Sequence, residues 1–142
     1  MQLRSATVSG LVSIEELLRE GSLPTAGVAE HLANFIVADD VENVIGCGGI
    51  EYHGDFALIR SIAVASHMRG SGIGNAIVSL LLAECTRRAV QAVALRTMTT
   101  DSYFARHGFS RVAVDDVPGP LLSSAQFTGV CPASAIVMLK RL

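Results

Sequence analysis

The spacing of apolar and polar residues changes character repeatedly along the chain, and each change predicts an element. Residues 3–8 predict a short first strand. Ser13 followed by Glu16 makes a capping-box pattern, and Gly21 is a stop, so residues 13–20 predict a helix. Residues 21–27, with Pro24 inside, read as a loop, either a plain connector or a lid over a substrate pocket. A helical turn is expected over 28–32. Strands follow at 34–38, 43–53 and 56–65, separated by an acidic turn at 39–42 and by Gly54-Asp55. They predict an antiparallel meander. Gly46, Gly48 and Gly49 lie inside its middle strand, where glycines imply a bulge or the approach of other backbone or a ligand.

A long helix is predicted from about Gly72, with Ile73, Ala76, Ile77, Leu80 and Leu81 on its apolar face and Asn75, Ser79 and Thr86 opposite. Residues 92–98 form the next strand, and a helix between two strands predicts a parallel crossover. Then come a short helix at 101–107 stopped by Gly108, a strand at 109–114, a proline-broken loop at 115–120 and a last strand at 133–139. The sum is a mixed α/β fold in one domain, residues 1–142.

Composition removes several function classes. Half of the 142 residues are hydrophobic, 17% are charged and the net charge is −2, which describes a packed domain. Basic residues are not clustered beyond pairs such as Arg87-Arg88, so neither nucleic acid nor an anionic membrane is an expected partner. No apolar run is long enough to span a bilayer. The first residues lack the apolar core of a signal peptide, which points to a cytoplasmic protein. Cys47, Cys85 and Cys131 are odd in number and scattered, giving neither a disulfide framework nor a metal spacing.

The chemistry starts at Arg69-Gly70-Ser71-Gly72-Ile73-Gly74, between the third meander strand and the long helix. Unpaired N–H groups and the helix dipole make such a turn an anion site, although a glycine turn can also be only a tight turn. A Walker-type loop needs Lys-Ser/Thr after its last glycine, and Asn75-Ala76 stands there instead. A dinucleotide fingerprint needs a third glycine where Asn75 stands and a carboxylate on the next strand, which ends in Arg96-Thr97. The remaining pattern is Arg/Gln-x-x-Gly-x-Gly/Ala, matched by Arg69, Gly72 and Gly74, whose backbone can wrap a pyrophosphate.

Together with Ile62-Ala63-Val64 before it and Arg106-His107-Gly108-Phe109 after it, this turn resembles the GNAT superfamily of acetyl-CoA dependent N-acetyltransferases. Within the superfamily the chain is similar to the small amino-acid acetylating enzymes of the arsenic-resistance-associated group. Gly49-Ile50-Glu51, residues 58–64, Tyr103-Phe104 and Cys131-Pro132-Ala133-Ser134-Ala135 carry that narrower likeness. The resemblance implies a central, mostly antiparallel mixed sheet flanked by helices, with acetyl-CoA as co-substrate and no metal. It implies that the backbone of Ile62, Ala63 and Val64 pairs with the pantetheine arm. Amides of Arg69, Gly70, Ser71, Gly72, Ile73 and Gly74 hold the pyrophosphate. The parallel strands holding Ile62 and Val93 splay to admit the thioester, and an N–H near Ile62 stabilises the oxyanion. Phe104, also assigned to the cofactor site, stands where many relatives carry a tyrosine. Tyr103 is one place earlier, roughly 100° around the helix, so it is not expected to act as the acid.

For the base, Glu51 leads, with His53 on the same strand face as a fallback and an exposed strand-end glutamate as the alternative. His31, His67 and His107 are expected at the surface or at helix ends. Arg60 can fork onto a substrate carboxylate or phosphinate, and alternation puts it on the face of Ile62 and Val64. Arg96 is a second substrate candidate or a structural cation. Cys131 reads as a packed thiol and Asp115-Asp116 as a solvated turn. The expected activity is acetyl transfer from acetyl-CoA to the amine of a small carboxylate-bearing amino acid, including phosphinic or arsinic glutamate analogues. A non-catalytic acyl-CoA sensor and a protein or peptide N-acetyltransferase are the alternatives. Oligomeric state is left open; a homodimer is compatible with the resemblance, with the apolar C-terminal strand as the sheet edge that would pair.

Overall fold

The computed structural model describes every residue except Glu42. Its strands are β1 (Gln2–Ser5), β2 (Phe35–Asp39), β3 (Val44–His53), β4 (Phe56–Val64), β5 (Ala92–Thr97), β6 (Ser110–Val112) and β7 (Ile136–Arg141). The helices are α1 (Leu11–Glu20), α2 (Ile73–Arg87) and α3 (Asp101–Ala105). One seven-stranded sheet has the order β1-β2-β3-β4-β5-β7-β6. The pairs β1–β2, β2–β3, β5–β7 and β6–β7 are antiparallel, and β4–β5 is parallel. The mixed α/β class, the mostly antiparallel sheet and the parallel crossover through α2 are therefore as expected. Contacts group the residues into two compact units, Met1–Ile50 with Arg60–Glu84, and Glu51–Ile59 with Cys85–Leu142.

In the first unit α1 begins two residues before the predicted start. A 3-10 turn at Val8–Gly10, closed by the Gly10 N–H on the Thr7 carbonyl at 2.9 Å, has already coiled the chain. Gly10 is thus the cap, and Ser13 lies inside the helix. Ile14, Leu17 and Leu18 are buried at helical spacing, and Gly21 ends the helix by donating to the carbonyls of Leu17 and Leu18. The acidic turn lies partly outside the described residues. Of the rest, Asp39 closes β2 and the Asp40 carboxylate accepts the Asn43 N–H at 3.3 Å.

The strand glycines have two explanations. Ala38 pairs with Gly46 but Asp39 pairs with Val44, so Ile45 is an extra residue and the ladder bulges there. Further along, α2 packs close against β3. A Cβ at Gly48 would stand 2.6 Å from both Ile62 Cδ1 and Ile77 Cγ2, and one at Gly46 would stand 2.9 Å from Ile73. The Phe35 ring lies over Gly49. Core side chains, not backbone or ligand, occupy the space these glycines leave. Ile73, Ile77, Leu81 and Cys85 form the buried stripe of α2 with Val78 beside it. Leu80, expected on that stripe, is 42% exposed. An i, i+4 ridge is narrower than the face drawn from sequence and leaves position 80 at its margin.

In the second unit β4 residues Phe56–Leu58 pair in register with Ala92–Ala94. Leu58, Ala92, Ala94, Val117, Leu121, Val137 and Leu139 form the core, with Phe56, Val112 and Phe127 packed on it. The proline-broken loop contains 3-10 turns at Val114–Asp116 and Gly119–Ser123, and it reaches the core through Leu121. Strand β6 is shorter than expected because the first of these turns follows it at once. Strand β7 starts at Ile136, after a turn in which the Ala135 N–H meets the Pro132 carbonyl at 2.9 Å. The C-terminal strand is not an edge, since β7 is paired with β5 on one side and β6 on the other. That removes the expected route to a dimer.

Candidate functional site

The glycine turn is built by backbone conformation. Gly70 and Gly72 have φ of +81° and +89°, in the region that L side chains avoid, and a Cβ at either would meet nothing within 4 Å. Glycine is demanded by the dihedral angle rather than by packing, and the space beside both is open. The Gly72 carbonyl accepts the Ala76 N–H at 3.0 Å and starts α2. The N–H groups of Ile73 and Gly74 thus stand at the dipole-positive end of a 15-residue helix. Two side chains fold back to shape the turn. Arg69 Nε donates to the Val64 carbonyl at 3.3 Å, and Ser71 Oγ donates to that of Met68. Residues 69–72 are exposed. Open backbone, left-handed glycines and a helix start fit a pyrophosphate group.

Strand β4 carries a feature that the sequence did not signal. Ser61 has φ +60° in the middle of the strand, a left-handed conformation that costs a non-glycine residue about 1–3 kcal/mol. Its carbonyl accepts from Cys47 Sγ at 3.3 Å and its Oγ from Arg60 Nε at 3.0 Å, and these bonds help hold the strained residue. The Cys47 thiol is pushed up to about 12, mainly by burial, so it is no nucleophile near neutral pH.

The left-handed residue interrupts the alternation on which the placement of Arg60 rested. Ile62 Cδ1 lies over the Gly48 backbone. Arg60 is instead 4% exposed, with Nη2 donating to the Ala26 carbonyl at 2.5 Å and Nη1 against Gly27. It pins the end of the 21–27 loop. Arg96 does comparable work in the second unit. Nη1 donates to the Gln126 carbonyl at 3.2 Å, and Nη2 to those of Ala135 at 3.1 Å and Pro132 at 3.4 Å. Its guanidinium lies 5.3 Å from the Phe127 ring, and its Nε is buried with no hydrogen-bond partner among the described residues. Cys131 Sγ donates to Gln126 Oε1 at 3.0 Å within the segment that Arg96 gathers.

Glu51 is 1% exposed, so the exposed strand-end alternative is wrong. Its Oε1 lies 2.9 Å from His53 Nε2, two residues along β3. Phe104 is buried edge-on to Tyr103 at 5.1 Å and to Phe109 at 6.0 Å. The Tyr103 and His107 rings lie tilted against each other with centroids 5.0 Å apart. Burial raises the phenol of Tyr103 and Arg106 partly offsets it, while burial, Arg106 and Lys140 together lower His107. His67 is exposed, as expected. The functional elements that sequence reasoning missed are Ser61, whose context carries no turn residue, and the carbonyls of Ala26 and Gln126. Backbone partners of that kind have no side-chain signature.

Fold and turn together define the class: a mixed α/β protein with an open glycine turn where a strand hands over to a long helix. Residues 31–111 match the Acetyltransferase (GNAT) domain, and the chain belongs to that family. An amino-acid acetyltransferase of Mycobacterium tuberculosis is 34% identical over 122 residues, covering 78% of this chain and 68% of the relative. The crystal structure of a Mycobacterium tuberculosis protein in complex with CoA superposes with a TM-score of 0.81 at 26% identity, over 100% of this chain and 99% of that one. N-acetylglutamate synthase of Neisseria gonorrhoeae, complexed with coenzyme A and N-acetyl-glutamate, shares the fold at 18% identity. Its TM-score is 0.84, over 99% of this chain and 35% of that one. No described helix is long and apolar enough to cross a membrane.

Proposed function

We propose that residues 1–142 act as one acetyl-CoA dependent N-acetyltransferase domain whose acceptor is the amine of a small, carboxylate-bearing amino acid. The observation that carries this reading is the open, left-handed backbone at Gly70 and Gly72 feeding α2, in a chain of the GNAT family. Amides of the Arg69 to Gly74 turn receive the pyrophosphate, those of Arg69 and Ser71 sharing their N–H with the Ser66 and Met68 carbonyls, and the backbone of Ile62, Ala63 and Val64 pairs with the pantetheine arm. Phe104 supports the cofactor side through the aromatic packing around it. Bound acetyl-CoA supplies the acetyl group as a thioester. The Ile62 N–H, re-aimed by the left-handed Ser61 before it, donates to the carbonyl oxygen. Glu51 takes the amine proton as base. Transfer is direct, and the protonated thiol of Cys47 offers no route through an acyl-cysteine at that position.

The amino-acid acceptor is supported by the relative named an amino-acid acetyltransferase. Through their carbonyl partners Arg60 and Arg96 shape the segments near residues 26 and 126–135, and a role for Arg60 at the acceptor carboxylate requires its guanidinium to exchange a carbonyl for the substrate. The resemblance to the arsenic-resistance-associated group extends the acceptor class to phosphinic and arsinic glutamate analogues. Steady-state kinetics on Arg60→Ala tests the clamp. We expect KM to rise about tenfold or more for amino acids, consistent with one lost charge-assisted bond, while coenzyme A binds as in wild type. A matching loss for amines without a carboxylate would make Arg60 purely a loop anchor.

A further inference from the structure

We infer that His53 is the positioning residue of the catalytic base: its Nε2–H holds the Glu51 carboxylate in its reactive state and orientation. The inference rests on the reading of Glu51 as that base and assigns the group that makes a base of so buried a side chain. Glu51 and His53 lie two residues apart on β3, so their side chains leave the strand on the same side. The separation of Glu51 Oε1 and His53 Nε2 is 2.9 Å. The two side chains differ in access to water, with 2% of Glu51 exposed against 18% of His53. An ionised carboxylate can only accept hydrogen bonds, so a working base at Glu51 requires the imidazole to donate from Nε2, which leaves Nδ1 as its second nitrogen.

Two consequences follow from that bond. A carboxylate withdrawn from water is costly to keep charged, and a short N–H donor offsets part of the cost by favouring the ionised form. The bond also fixes the carboxylate plane, because one oxygen is tethered to a ring whose backbone belongs to a ten-residue strand. A base works only when its oxygen meets the incoming N–H within hydrogen-bond reach, so orientation counts as much as charge. In the reaction the nitrogen–acetyl bond forms, the carbon–sulfur bond breaks, the amine proton passes to Glu51, and a proton ends on the released thiol. His53 keeps its Nε2 proton throughout and touches no reacting atom.

The test compares His53→Leu, which removes the donor, with His53→Gln, which keeps an N–H donor, and with Glu51→Gln, all on the full chain. Each is measured for kcat, for KM of both substrates, for coenzyme A binding and for melting temperature. We expect His53→Leu to lose about ten- to a hundredfold in kcat, the worth of a hydrogen bond to a charged group, with coenzyme A affinity unchanged. His53→Gln should recover most of that loss, and Glu51→Gln should be the least active. If Glu51→Gln is inactive but His53→Leu keeps wild-type kcat, or if Leu and Gln at position 53 are equally impaired, the inference is overturned and the Glu51 reading stands. If Glu51→Gln keeps wild-type kcat, the base assignment is wrong and the inference goes with it. Should His53→Leu fail to fold, the comparison of His53→Gln with wild type decides, since an unrecovered kcat there contradicts the donor role.

Discussion

At position 72 a side chain would find room but not a comfortable backbone. With φ at +89° and nothing within 4 Å of a built Cβ, Gly72→Ala should cost about 1 kcal/mol or more through the dihedral alone. The strain is relieved by rotating the peptide units that present N–H groups at the start of α2. We therefore expect coenzyme A to bind several-fold more weakly in isothermal titration, with a small fall in melting temperature. An unchanged dissociation constant would mean that the turn does not hold the ligand. Ser61 stands in the opposite situation, a non-glycine residue in a left-handed conformation that its neighbours sustain. The glycines could be read from sequence because their residue type reports the dihedral. Ser61 could not, because its type is neutral to it.

At the scale of elements, the approach of α2 to β3 depends on glycines that leave space for isoleucines. Gly48→Ala would place a Cβ 2.6 Å from Ile62 and Ile77, and neither neighbour belongs to a flexible surface chain. Overpacking of this kind costs about 1–3 kcal/mol, so chemical denaturation should show a lower midpoint with a similar slope. A variant as stable as wild type would mean that α2 can shift away from the strand. The existence and order of the elements were legible, because strand alternation, helical periodicity and turn residues agree along most of the chain. Their limits were less so. α1 starts early because a preceding 3-10 turn nucleates it, and β7 starts late because Pro132 and Ala135 close a turn first. Position 80 was misplaced for a different reason, since one ridge of a helix, not half its circumference, meets the sheet.

For the whole molecule, the family and the backbone of the glycine turn were legible, and the surroundings of the candidate acceptor residues were only partly so. The glycine turn is a local motif that needs few long-range contacts, so sequence spacing describes it. Arg60 and Arg96 depend on carbonyls 30 to 39 residues away, which no spacing rule reaches. The hydrogen bond of Glu51 to His53 lies between, predictable as a shared strand face but not as a contact of 2.9 Å. Dimerisation through β7 was misjudged because topology, not apolarity, decides which strand is an edge. Catalytic acetyl transfer to an amino acid is measured directly by thiol release from acetyl-CoA across amino acids, glutamate analogues, polyamines and peptides. Saturable release is expected with one or more carboxylate-bearing amino acids, and little with peptides or polyamines. Tight coenzyme binding without amine-dependent release, or release confined to peptides, would contradict it.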